Sequence, residues 1–175
     1  MAASDDSAWS PMPYGPDEWI SRHGCARRWL LGHDVFMPPE ATAYVPNELL
    51  SRLVGYRLYS VEFVMDYVQL RFDGPTEDMP VLNCEVLPVV ETPTGSIGPG
   101  QLGWADALRA LIPGQVVATA EETGRGLRIE FDQGTVCLHP SIDDVPGPEI
   151  AMLTGFKDRR WMCWRPGEES FEDLV

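Results

Sequence analysis

Three residues near the start of the chain, His23, Cys25 and His33, have side chains of the types that ligate zinc. A zinc site needs neutral imidazoles or thiolates that converge in a tetrahedron, and a fourth ligand is missing nearby. Cys137 and His139 alternate on one face of a predicted strand, where two residues beside a core are far commoner than a metal site. The sequence therefore predicts no metal site and no cofactor.

Catalysis by a cysteine would require Cys25 or Cys137 beside a histidine, with positive charge to stabilise the thiolate. The chain instead has 27 acidic and 13 basic residues, a formal net charge of −14. Adjacent carboxylates are frequent in so acidic a chain, and they are interpreted as solvated loops. No catalytic residue is predicted. A deep pocket that combines one of the three histidines with carboxylates would favour an enzyme instead.

Two short segments have the composition of nucleotide or nucleic-acid sites. The segment GSIGPGQLG, residues 95–103, lacks the Lys and Ser/Thr of a phosphate-binding loop and is interpreted as a flexible linker. The segment RRWMCWRPG, residues 159–167, combines Arg with Trp, but the net charge opposes a polyanion. Period-two alternation places Trp161 and Trp164 on opposite faces. One tryptophan is expected to close the core, and the other to be an exposed contact residue.

Length, composition and charge limit the classes of protein to which this chain can belong. A length of 175 residues suits one domain. The chain has no run of 18 apolar residues and no signal-peptide pattern, and its four cysteines are scattered without a CxxC pair. These features predict a cytoplasmic protein with reduced thiols. Because the net charge repels nucleic acid and anionic membranes, the expected partner is a basic or neutral protein. The oligomeric state stays open.

An internal repeat accounts for the periodicity between residues 48 and 145. At an offset of 58 or 59, an amphipathic helix that ends at a glycine is followed by three segments of period two, each predicting a half-buried antiparallel strand. The glycine is expected to end its helix in the left-handed conformation. The alignment matches Gly55 with Gly114, Glu62 with Glu121, Leu70 with Ile129, Phe72 with Phe131 and Asp73 with Asp132.

One repeat cannot cover the apolar face of its own sheet, so the second is expected to extend that sheet or to pack against it. We therefore expect an α+β domain of six to seven mainly antiparallel strands, built from two helix-plus-β-meander repeats at about 48–92 and 106–145. Short helices are predicted at 47–54, 99–112 and 148–153. The domain spans residues 17–175 and begins with a helix at 17–31. Residues 1–16 are expected to be partly disordered.

The repeated segment at residues 114–138, which has the pattern L-x-I-x-F-D-x-G-T-x-x-L at residues 127–138, resembles a family of small actinobacterial proteins of unknown function. The closing segment WMCWRPGEESF resembles that family's terminal segment, with Glu168 where a second glycine is usual. The resemblance implies the duplicated fold and no activity. Size, acidity and predicted β content are also similar to those of immunity proteins from bacterial polymorphic toxin systems.

The leading hypothesis is an acidic protein-binding module, an immunity protein that neutralises a toxin or effector by covering its basic surface. Two alternatives stay open: a nucleic-acid mimic, which predicts one long acidic stripe, and a housekeeping domain or enzyme with an unrecognised site. The predicted contact residues are five loop acids and two tryptophans: Asp66, Glu77, Asp78, Asp143, Asp144, Trp161 and Trp164.

Overall fold

The structure is a computed structural model that describes residues 44–174. The predicted disorder at 1–16, the predicted helix at 17–31, and the residues His23, Cys25 and His33 lie outside the described residues.

Within residues 44–174 the chain forms ten strands, one α-helix and three short 3-10 helices. In chain order the strands are β1 Arg57–Val64, β2 Tyr67–Asp73, β3 Val81–Cys84, β4 Val89–Thr92, β5 Gly95–Ile97, β6 Val116–Glu122, β7 Gly126–Phe131, β8 Gly134–Leu138, β9 Ala151–Thr154 and β10 Met162–Trp164. The α-helix, α1, is Trp104–Ala110, and the 3-10 helices are Leu50–Leu53, Ile142–Asp144 and Glu169–Phe171.

The strands form two antiparallel sheets of five strands each. The first sheet has the order β1-β2-β3-β9-β10, and the second has the order β5-β4-β8-β7-β6. Each sheet therefore combines a three-stranded meander from one half of the chain with a strand pair from the other half. The pair β4–β5 leaves the first meander to join β8, while β9 and β10 leave the second meander to join β3.

The two meanders have matching registers. Leu58 pairs with Phe72 in the first, and Val116 pairs with Phe131 in the second. In each meander the register then shifts by one residue, at Tyr59 in β1 and at Val117 in β6. An irregularity of this kind bends a strand and increases its twist. The edge strands of both sheets are thus bent at equivalent places.

The edge strands β1 and β6 also meet at their first residues. Arg57 and Gln115 form an isolated antiparallel bridge. The amide of Leu58 donates to the carbonyl of Gly114 at 2.9 Å, and the amide of Val116 donates to the carbonyl of Tyr56 at 2.8 Å. These two hydrogen bonds join equivalent atoms of the two meanders in reciprocal fashion.

One hydrophobic core contains apolar side chains of both sheets. The rings of Phe72 and Phe131, which occupy equivalent positions, stack in it with centroids 6.5 Å apart and planes 4° apart. Leu58 and Leu70 of the first sheet and Ile129 of the second are at most 1% exposed. Burying both apolar sheet faces against each other removes from water the surface that a single meander would expose.

The expectation of six to seven strands in an α+β domain is only roughly compatible with this mostly β architecture of ten strands. The three strands β4, β5 and β9 were not predicted. The segment 148–153, predicted as a helix, instead contributes β9, which lies between β3 and β10. The predicted linker 95–103 begins with β5. Of these three strands, β4 and β9 depend on partners from the other half of the chain, which local sequence does not reveal, and β5 pairs with β4.

The two glycines before β1 and β6 are not equivalent in conformation. Gly55 has a φ of 88°, as expected, whereas Gly114 is not among the left-handed residues. A Cβ on Gly114 would lie 2.5 Å from the carbonyl oxygen of Leu111, so close packing selects this glycine. The strand registers also match Glu121 with Phe63, where the sequence alignment matched it with Glu62.

Candidate binding site

A cavity of about 400 Å³ opens where the two connections between the sheets meet. One connection joins β3 to β4, and the other joins β8 to β9. We call this space the crossover cavity. Its lining includes residues of both connections and of the turn between β1 and β2, among them Asp66, Glu85, Val86, Leu87, Val89, Cys137, His139 and Asp144.

Hydrogen bonds fix the two connections against each other. The backbone amides of Glu85 and Val86 both donate to the carbonyl of Ile150, at 3.0 and 3.1 Å. The indole nitrogen of Trp104, the first residue of α1, donates to the carbonyl of Pro88 at 2.8 Å. Because both connections are held by hydrogen bonds, the cavity is pre-organised, which lowers the entropic cost of binding.

The crossover cavity has an apolar floor and acidic walls. Val86 is buried, and Leu87 and Val89 are half-buried. Asp66 and Asp144 are exposed at the rim. Such a cavity suits a group that combines a hydrocarbon stem with a positively charged end.

Glu85 is the half-buried carboxylate of this cavity. Burial raises its pKa above the ordinary value, and the nearby charges of Glu149 and Asp66 raise it further. Glu149 lines a smaller adjoining cavity of about 170 Å³, which shares Asp66 and Glu85 with the crossover cavity. The carboxylates thus repel one another, and a bound cation would relieve that repulsion.

Within the described residues, neither Lys nor Arg lines the crossover cavity. Asp66, Glu85 and Asp144 form no ion pair within residues 44–174. The short ion pairs there are Arg52–Asp158 at 2.8 Å, Arg57–Asp73 at 2.8 Å, Arg71–Glu62 at 2.6 Å, Arg128–Glu91 at 3.0 Å and Arg160–Glu48 at 2.6 Å, together with Lys157–Glu77.

Cys137 and His139 bring a thiol and an imidazole to the same cavity. The Cys137 sulfur accepts a hydrogen bond from Arg128 Nη1 at 3.3 Å. Burial nevertheless raises the pKa of this thiol to about 11, against the lowering effect of Arg128. The thiol is therefore protonated at neutral pH, which is unfavourable for a nucleophile. His139 is exposed at the cavity.

The structure brings together only some of the predicted contact acids. Asp66 and Asp144, far apart in sequence, line the crossover cavity, and Asp143 is the exposed neighbour of Asp144. Glu77 and Asp78 do not line it. Glu77 pairs with Lys157, and the largely buried Asp78 carboxylate accepts the amide of Lys157 at 2.8 Å. Asp78 thus stabilises the loop before β3.

The two predicted tryptophans differ as their alternation indicated. Trp164 is fully buried, and its indole nitrogen donates to Glu121 Oε1 at 2.5 Å. Trp161 is 50% exposed. Trp164 belongs to the core and is not a surface anchor, so of this pair Trp161 is the residue available for contact.

Glu85 and Glu149 are site residues that sequence reasoning missed. Glu85 follows directly on β3 and was included in a longer predicted strand, residues 81–87. Glu149 was included in a helix that does not form. The available signals were Pro88, which follows Glu85 closely, and Pro148, which directly precedes Glu149, because proline marks the end of regular pairing.

In comparisons with known proteins, no family model, no curated protein and no solved structure matches this chain. Within residues 44–174 no group of three or more His, Cys, Asp or Glu side chains is placed to hold a metal ion. No helix in that part of the chain is long and apolar enough to cross a membrane.

Proposed function

We propose that this chain is a protein-binding module that holds a basic partner by taking one of the partner's arginine or lysine side chains into the crossover cavity. One observation carries the proposal: three carboxylates, Asp66, Glu85 and Asp144, line a preformed cavity into which no cation of the described residues projects. The acidic sequence supplies the long-range attraction, and the cavity supplies the place where it acts.

The geometry of the cavity suits a long basic side chain. The methylene stem would lie on Val86, Leu87 and Val89, where its burial is favourable. The charged end would reach Glu85 and Asp66. An arginine suits two neighbouring carboxylates best, because its planar guanidinium presents several donors in a fixed arrangement.

We further propose that this binding neutralises a bacterial toxin or effector, the task of the immunity proteins that the sequence resembles in size and acidity. A rigid acidic surface that covers a basic cleft blocks the cleft and gains its association rate from steering. A toxin-domain gene immediately upstream of this one would support that role.

The test compares two double variants that lose the same amount of charge. Asp66→Asn/Glu85→Gln alters the crossover cavity, whereas Asp132→Asn/Asp173→Asn alters two exposed acids that do not line it. Wild-type protein and both variants are used to capture partners from the native cell at low and at high salt. The captured protein is then purified, and its affinity for each form is measured.

A basic protein should bind the wild type and the control variant with similar affinity, and the cavity variant at least about tenfold more weakly. If both double variants lost the same affinity, net charge alone would explain the effect, and the crossover cavity would be rejected as the binding site. Recovery of no basic protein at either salt concentration would reject the partner class altogether.

His139 favours acid–base catalysis as a second candidate function, because an imidazole and three carboxylates share one cavity. The variant His139→Gln separates the two. It should leave capture of a basic protein unchanged if the cavity is a docking site. Loss of a measured turnover with unchanged capture would favour the enzyme.

A further inference from the structure

A second cavity, of about 200 Å³, lies on another part of the described chain and has a different composition. It is lined by the segment 44–49, by Glu121 at the end of β6, by residues 160–162 before and within β10, and by Glu169. We call it the Trp161 cavity. It shares no lining residue with the crossover cavity, so it can be tested separately.

The back of the Trp161 cavity is built on Glu121, which is only 6% exposed. Its Oε1 accepts hydrogen bonds from Tyr44 Oη, from Trp164 Nε1 at 2.5 Å and from Ser170 Oγ at 2.8 Å. Its Oε2 accepts the backbone amide of Asn47 at 2.7 Å. Both oxygens are therefore occupied, and Glu121 serves to hold Tyr44 and to place a negative charge behind the cavity.

Glu169 differs from Glu121 because one of its oxygens is unused. Oε2 of Glu169 is buried and accepts no hydrogen bond within the described residues. Burial raises the pKa of this carboxyl, and the charges of Glu121 and Glu168 raise it further. The charge of this carboxyl group is therefore poorly compensated, and a cation held in the cavity beside it would be stabilised by that charge.

The mouth of the cavity adds an aromatic surface. Trp161 is half-exposed there, and Tyr44 also lines the cavity. The cavity's own cation, Arg160, is engaged by Glu48 at 2.6 Å. Indole faces attract organic cations, most strongly where a carboxylate is also close. The lining is thus aromatic and anionic, with its resident positive charge already paired.

We propose that the Trp161 cavity binds a small organic ammonium group, with Trp161 and Tyr44 as its aromatic walls and Glu169 as its counter-ion. A volume of about 200 Å³ suits an ammonium head with a few carbon atoms. Such a head is carried by small free ammonium compounds and by the lysine side chains of proteins. The two sources share this chemistry, and one probe of each distinguishes them.

Choline and N-acetyl-lysine methylamide represent the two sources. Each is titrated into the full chain while the indole N–H signals of Trp161 and Trp164 are followed by NMR, after assignment with Trp161→Phe. The neutral choline isostere 3,3-dimethylbutanol is titrated in parallel. At least one ammonium probe should bind saturably, and the isostere should bind at least about tenfold more weakly.

Variants assign the effect to the cavity. Glu169→Gln keeps the shape of the side chain and removes its charge, and Trp161→Leu removes the aromatic face. Each should weaken binding of the ammonium probe by about tenfold. Glu172→Gln is the matched control, because Glu172 is exposed nearby in the sequence and does not line the cavity. It should bind as the wild type does.

Saturable binding of choline alone would support a free ammonium compound as the ligand, and binding of the lysine derivative alone would support a partner's side chain. Equal binding of 3,3-dimethylbutanol would overturn the proposal, since the cavity would then recognise only shape. Unchanged binding by Glu169→Gln, or no saturable shift with either ammonium probe, would overturn it as well.

Discussion

The two meanders share a register and differ at the residues that do chemistry. Counting from the paired phenylalanines, Phe63 of the first meander is equivalent to Glu121 of the second. Phe63 is 51% exposed and contacts Trp104 edge to face, with ring centroids 5.8 Å apart. Glu121 is buried and accepts hydrogen bonds from four groups. Equivalent positions with similar residues, such as Phe72 and Phe131, thus form the core, whereas Glu121, whose equivalent is of a different type, lines a cavity.

The residues that follow β3 and β8 also differ at equivalent positions. Continuing the registers by one residue makes Glu85 equivalent to His139, and both line the crossover cavity. The cavity therefore receives an acid from one half and an imidazole from the other at corresponding places. A perfectly repeated chain would have placed two like groups there.

The largest expected effect comes from the pair Phe63 and Glu121. Glu121→Ala removes the acceptor of two buried donors, Trp164 Nε1 and Ser170 Oγ. We expect the free energy of unfolding to fall by about 3 kcal/mol, measured by urea denaturation. Phe63→Ala at the equivalent position should cost about 1 kcal/mol, since the ring is half-exposed. Equal losses would contradict the distinction between the two halves.

The next comparison concerns the glycines before β1 and β6. Gly114→Ala places a methyl group 2.5 Å from the carbonyl oxygen of Leu111, and we expect a loss of about 2 kcal/mol in the free energy of unfolding. Gly55→Ala meets open space but retains a left-handed φ, and should cost about 1 kcal/mol.

Gly147→Ala is the control for both glycines, because it has open space and no left-handed φ. Its stability should equal or slightly exceed that of the wild type in the same urea titration. If Gly114→Ala lost less stability than Gly55→Ala, the left-handed φ of Gly55 would matter more than the close packing at Gly114.

The sequence predicted those parts of the fold that are specified locally. Alternation in residues 68–73 and 127–132 located β2 and β7 to within one residue, because each pairs with its neighbours in sequence. The pair β4–β5 and the strand β9 were not predicted, since β4 pairs with β8 and β9 pairs with β3, each in the opposite half of the chain. The crossover cavity was not predicted for the same reason, because its lining residues come together only when β4 pairs with β8 and β9 pairs with β3.

The smallest expected effect concerns Glu85, where stability and binding should respond in opposite directions. Its raised pKa means that folding disfavours the ionised carboxylate, so Glu85→Gln should raise the free energy of unfolding at pH 7. We expect only a few tenths of a kcal/mol, because solvent screens a half-exposed group. His139→Gln, at the equivalent exposed position, should leave stability unchanged.

The pH dependence fixes the sign of this effect. As the pH falls through the raised pKa of Glu85, the wild type gains a proton that the folded state holds more tightly than the unfolded state. Its disadvantage relative to Glu85→Gln should therefore be greatest at neutral pH and vanish near pH 4, in urea titrations of both proteins. If the difference in free energy of unfolding between the two proteins stays constant between pH 4 and pH 7, it does not arise from the charge of Glu85. Improved stability together with weaker partner binding would identify Glu85 as a residue kept for binding at the expense of the fold.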